Sequence, residues 1–193
     1  MTVPGITWKG ESIDDVEILA DLPGDLRRVL TDTNGFILHE GALHVRSASL
    51  TPEWHSLREA WLGPNAFHRL YDEVKISDIP FAQDQVGDQF LIREGIILRL
   101  FAETGEIEIL ADSLDDFFAK VQSDIETFLT VGLSHRMEPG QLLHAFPPFC
   151  VRDAVSPSLR AIAAAEAIRF HADLARQIRD VPDGEQIEFK VVD

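Results

Sequence analysis

An α+β fold is predicted by two patterns that lie side by side in this chain. Between Ile79 and Leu110, short apolar runs are separated by glycine-marked turns, the signature of a strand meander. From Leu114 to Leu129, the residues Leu114, Phe117, Phe118, Val121, Ile125, Phe128 and Leu129 recur with a 3.6-residue period. That makes one helix with one apolar stripe, and such a stripe covers one face of a sheet.

The elements follow in order. Asp14 to Leu30 reads as helical, broken at Pro23, where Leu22-Pro23 starts a fresh helix. Thr33-Asn34-Gly35 ends it, because Asn and Gly tolerate a positive φ. Phe36–Leu38 and Leu43–Val45 read as two short strands around Glu40-Gly41. Pro52 to Tyr71 reads as a short helix, a turn at Gly63-Pro64, then another short helix or an irregular stretch. Ile79-Pro80 is expected to form a corner, followed by a three-stranded meander. In it, Phe90 and Ile92 face a core and Gln89, Leu91 and Arg93 a mixed side. Glu94-Gly95 and Glu103-Thr104-Gly105 are its turns. In its last strand Ile107 and Ile109 face one side, Glu106 and Glu108 the other. Ser113 is the expected N-cap of the striped helix, with Asp116 in a capping-box position.

Beyond the helix, residues 135–157 carry Pro139, Gly140, Pro147, Pro148 and Pro157 and read as irregular, anchored by Phe146 and Phe149. Ser158 is expected to cap a long alanine-rich helix with Leu159, Ala163, Ala167, Phe170, Leu174 and Ile178 on its buried side. Pro182-Asp183-Gly184 stops it, and Gln186 to Val192 reads as a final strand.

With 193 residues and 45% apolar content, the chain suits one domain, residues 1–193, with a sizeable core. No apolar run reaches the roughly 18 residues of a membrane span. The start, MTVPGITWKGES, lacks the features of a signal peptide, so a cytoplasmic location is expected. The single cysteine, Cys150, excludes an internal disulfide framework and reads as a small apolar residue.

Charge is lopsided: 33 acidic residues against 17 Lys and Arg give a net charge of -16. That field disfavours nucleic acid and anionic membranes and would steer a basic partner inward. Glu11, Asp14, Asp15, Glu17, Asp21 and Asp25 follow one another with no base between them. So do Glu103, Glu106, Glu108, Asp112, Asp115 and Asp116, up to Lys120. Each run is either a solvated surface or a face shaped for a basic protein.

No nucleophile elbow, phosphate loop or HExxH pattern is present, and Gly87 and Gly95 do not form a dinucleotide fingerprint. His39 and His44 flank a turn, and His135 and His144 lie farther on, without a local third ligand at a familiar spacing. No cofactor and no metal is expected. Asp84 and Asp88 stand four apart before a strand. An acid–base pair is one reading; acceptors for backbone N–H groups in a tight corner is the preferred one.

Taken in order, these residues resemble the SUKH superfamily, which includes fungal cell-wall assembly regulators. Leu22-Pro23 and Asn34-Gly35 match its early helix element. Ile79-Pro80-Phe81-Ala82, then Gly87-Asp88, then Phe90-Leu91-Ile92 match its central segment, and Leu110-Ala111-Asp112-Ser113 with Phe117-Phe118 its closing strand and helix. The resembling core spans about residues 18–130, leaving 131–193 as a C-terminal helix-strand extension. The resemblance implies a twisted, mostly antiparallel sheet flanked by helices, with Pro23, Asn34, Gly35, Pro80, Gly87, Asp88, Gly95 and Gly105 setting its backbone. It implies no catalytic residues. Bacterial members are similar to immunity proteins that bind and block a cognate toxin, so the expected partner is a basic toxin or effector protein. The expected contacts are Asp84, Asp88, Glu106, Glu108, Asp112 and Asp115. A regulatory or scaffold protein of the same fold is the alternative, followed by a metal-dependent hydrolase using His135, His144 and nearby carboxylates. The sequence leaves the oligomeric state open.

Overall fold

The computed structural model describes residues 4–129, 132, 135–151, 157–182 and 184–185. Its centre is a seven-stranded antiparallel sheet whose strands lie in chain order. They are β1 (Ile6–Lys9), β2 (Phe36–Leu38), β3 (Leu43–Val45), β4 (Ile79–Asp84), β5 (Gln89–Arg93), β6 (Ile96–Leu100) and β7 (Ile107–Ala111). Helices α1 (Val16–Asp21) and α2 (Gly24–Asp32) precede β2. Helices α3 (Leu57–Leu62) and α4 (Phe67–Leu70) precede β4, and α5 (Leu114–Leu129) follows β7. Strands β8 (Gln141–Phe146) and β9 (Ser158–Ala163) pair separately, and α6 (Ala164–Ile178) follows them. The fold class is α+β, as the two patterns predict, and no helix among the described residues is long and apolar enough to cross a membrane.

The stripe on α5 fills the larger core. Phe117 is its centre, with ring centroids 5.4 Å from Phe81, 5.2 Å from Phe90 and 5.4 Å from Phe118. Ile18, Leu22, Leu26 and Leu30 close this core from α1 and α2. Each such side chain removed from water stabilises by roughly 1.5–3 kcal/mol. Ser113 caps α5 through the amide of Asp116 (3.1 Å), and the Asp116 carboxylate accepts the amide of Asp112 (3.2 Å). The helix is not continuous. Asp124 is extended (φ −161°, ψ 89°), and its carboxylate recaps the last turn by accepting the amide of Thr127.

Four expectations are corrected. Ile79-Pro80 is not a corner: Ile79 to Asp84 is a fully buried strand between β3 and β5, so the meander has four strands. A proline fits there because the β4–β5 register shifts between Pro80 and Ala82, where a ladder N–H is dispensable. Second, the mixed side of β5 is also covered: Gln89 and Leu91 are buried there and only Arg93 is partly exposed. Leu91, Leu98 and Leu100 face a second core built with Phe67, Tyr71, Val74, Ala172 and Ala175.

Third, Ser158 does not cap a helix, and residues 141–146 are not irregular. Ser158–Ala163 is a strand paired with Gln141–Phe146, and the helix starts at Ala164. Fourth, Phe146 (64% exposed) and Phe149 are exposed rather than buried as anchors, and Phe170, expected on the buried side of the helix, is partly exposed with its ring against His144. The predicted strand Gln186 to Val192 lies outside the described residues.

The motif residues sit where backbone geometry demands them. Pro23 precedes α2 as its N-cap residue. Glu94 (φ 54°) and Gly95 (φ 89°) are both left-handed, the two-residue turn that joins twisted strands without splaying them. Gly35, Gly87 and Gly105 also have positive φ. Asn34 is a buried hub: its side chain donates to Glu11 O and Ser49 Oγ and accepts from the Ala48 amide.

Candidate protein-binding face

The six carboxylates singled out in the sequence divide into two groups. Asp84 is wholly buried and Asp88 is 7% exposed. Asp84 Oδ1 accepts the amides of Val86, Gly87 and Asp88, each at 3.0 Å. Asp88 accepts the Ala102 amide (2.8 Å), and the Arg99 guanidinium lies between the two carboxylates, 2.7 Å from Asp88 and 3.4 Å from Asp84. Burial raises the Asp84 carboxyl well above the usual carboxylate range and the Asp88 charge adds to that, while Arg99 and the loop amides pull it back. As partner contacts, Asp84 and Asp88 are corrected: both are buried, the Asp84 oxygens taken by the β4–β5 loop amides and Arg99, the Asp88 oxygens by the Ala102 amide and Arg99. The expectation that they accept backbone N–H groups in a tight corner describes what is seen.

Glu106, Glu108, Asp112 and Asp115 are all exposed. They run along β7 and into the first turn of α5, and Ile109, at 69% exposed, lies among them. No side-chain hydrogen bond or ion pair among the described residues engages these four carboxylates. Ile109 is therefore not the inward residue that alternation predicts, whereas Ile107 does pack on the second core. The β6–β7 register shifts between Ile97 and Leu98, and β7 is the last strand of the sheet. Glu103 and Asp116 leave the acidic run. Glu103 turns to the C-terminal region and accepts the amides of Phe149 (3.1 Å) and Cys150 (2.8 Å). Asp116 pairs with Lys120 at 2.8 Å, which lowers its carboxyl below the ordinary value.

The earlier acidic run is partly structural. Asp15 caps α1 through the Ile18 amide and takes a bidentate pair from Arg58, at 2.5 and 2.6 Å, which holds its carboxyl below the ordinary value. Asp14 accepts the Leu50 amide and Asp25 the Leu26 amide.

Two buried polar clusters went unforeseen. Arg46 donates to Pro80 O (2.8 Å), Gln83 (2.7 Å) and Gln89 (2.7 Å), and lies 5.2 Å from the centre of the Phe67 ring. With no carboxylate partner among the described residues, it is pulled down by burial to about 9. His44 and His55 share one hydrogen bond at 2.7 Å beneath Trp54 and Trp8. Burial lowers His55 to about 4, so it stays neutral near pH 7. The alternation of His44 and Arg46 with Leu43 and Val45 was the signal available for both. His171, packed under β8 near His144 and Gly87, is likewise lowered by burial to about 4. Burial and Glu103 raise the half-buried Cys150 thiol to about 12. Among the described residues no group of three or more His, Cys, Asp or Glu side chains converges as a metal site would require.

No family model, curated protein or solved structure matches the chain. The site is therefore read from its own chemistry. At the rim of the sheet, four exposed carboxylates present negative charge with no side-chain partner among the described residues.

Proposed function

We propose that the protein is a non-catalytic protein-binding module of the immunity type that the SUKH resemblance implies. It neutralises a basic toxin or effector by gripping it through the β7–α5 face. The observation that carries this reading is the exposed set Glu106, Glu108, Asp112 and Asp115, without a side-chain partner among the described residues, in a chain of net charge -16. Such a face accelerates encounter with a basic surface and can occupy a groove that would otherwise take nucleic acid.

The test is co-purification with toxin candidates encoded beside this protein, at about 10 mM ionic strength, where the screening length is roughly 30 Å. Stoichiometric capture that weakens as salt is raised is the expected result. If no protein binds under those conditions, the proposal fails. A partner that is captured equally from toxin-free strains moves the role to regulation or scaffolding.

A further inference from the structure

We propose that the outer edge of β7 takes up an extended basic segment of the partner as an eighth strand. This rests on the protein-binding reading above and adds the mode of capture. Among the described residues no strand lies beyond β7 in the sheet. Its inner side is defined by two contacts: Phe101 N donates to Glu106 O at 2.9 Å, and Arg99 stands opposite Glu108 in the β6–β7 register. In an antiparallel ladder, bonded and unbonded residues alternate. The backbone N–H and C=O groups of Ile107 and Ile109 therefore point away from β6, and no backbone bond among the described residues engages them.

The chemistry of this edge selects its occupant. A second copy pairing β7 against β7 would set Glu106 and Glu108 against like charges, which is unfavourable for cross-strand neighbours. Acidic side chains on an open edge keep such edges apart. A strand with Lys or Arg at alternate positions meets the same acids as partners, while an apolar residue between them lies on Ile109. Backbone bonds would then supply affinity and the alternate side chains specificity. The register shift near Leu110 limits the docking stretch to the segment from Glu106 to Ile109.

The experiment is amide hydrogen exchange on the full chain, with a short capped peptide of alternating lysine and valine, and its glutamate–valine counterpart as control. At low salt the lysine peptide should slow exchange of the Ile107 and Ile109 amides by at least about tenfold, and the glutamate peptide should not. Ile109→Pro removes one outward donor but no ladder bond to β6. It should abolish peptide binding, whereas Glu108→Gln should only weaken it severalfold. If the lysine peptide binds while those two amides exchange as before, or if a folded Ile109→Pro binds like the parent, strand addition is wrong. The acidic face would then work through side chains alone, leaving the protein-binding reading intact. Absence of peptide binding at low salt also overturns strand addition, whereas that reading stands or falls on toxin capture. Should Ile109→Pro fail to fold, the amide protection of the parent chain decides the matter.

Discussion

Asp84 and Glu108 are carboxylates on strands of one sheet, and they do opposite things. Asp84 sits in the interior with three amides and a guanidinium around it; Glu108 is exposed, and no side chain among the described residues bonds its carboxylate. The β4–β5 loop uses negative charge to hold its own backbone, and the β7 edge leaves it unspent. In an acidic protein, residue type alone does not indicate a binding surface. The accounting of each oxygen does.

The contrast predicts a graded set of responses. The largest belongs to Asp84→Ala, which orphans three amides and leaves Arg99 buried beside a single carboxylate. A loss of about 3–5 kcal/mol in urea unfolding is expected. A loss below about 1 kcal/mol would erase the distinction between the two regions.

Acid comes next. His55 and His171 have folded values near 4, below the ordinary 6.5, so the unfolded chain binds protons more readily in the window between. Stability should therefore fall as pH drops from about 6.5 to 4, by of the order of 3 kcal/mol for each histidine. Asp84 works against this trend, because a raised carboxyl takes up its proton sooner in the folded state. Unfolding midpoints measured across that range test the sign, and a flat profile would contradict the burial of both imidazoles.

Ser113→Ala removes the cap of α5, with an expected cost of about 1 kcal/mol in thermal or chemical unfolding. The smallest effect on stability belongs to the edge. Glu108→Lys combined with Asp112→Lys should change stability by no more than about 0.5 kcal/mol, yet weaken capture of a basic partner by tenfold or more. If this pair destabilised the fold as strongly as Asp84→Ala, the edge acids would be structural after all.

What could be read in advance depended on how local the cause was. Phe36–Leu38, Leu43–Val45 and the stripe of α5 lie where periodicity puts them, because their patterns depend on near neighbours. Ser158–Ala163 was mistaken for the start of an alanine-rich helix. Its strand state comes from β8, a distant partner that overrides intrinsic propensity. Pro80 reads as a corner in the sequence because a register shift, which lets a proline into a central strand, leaves no mark in composition. The candidate face was legible only as a run of acids. Separating Asp84, Asp88, Glu103 and Asp116 from the four exposed carboxylates required knowing where Arg99, Lys120 and the amides of residues 149 and 150 would fall.

The second core has a consequence for synthesis of the chain. By the time Ala111 has left the ribosome, every strand of the large sheet exists, but Leu91, Leu98 and Leu100 still lack the Ala172 and Ala175 side that will cover them. At roughly 5–20 residues per second, that apolar face waits several seconds for its lid. During that interval only Phe67, Tyr71 and Val74 shield the face, and the alanines of α6, small enough to settle late onto a finished sheet, complete its cover.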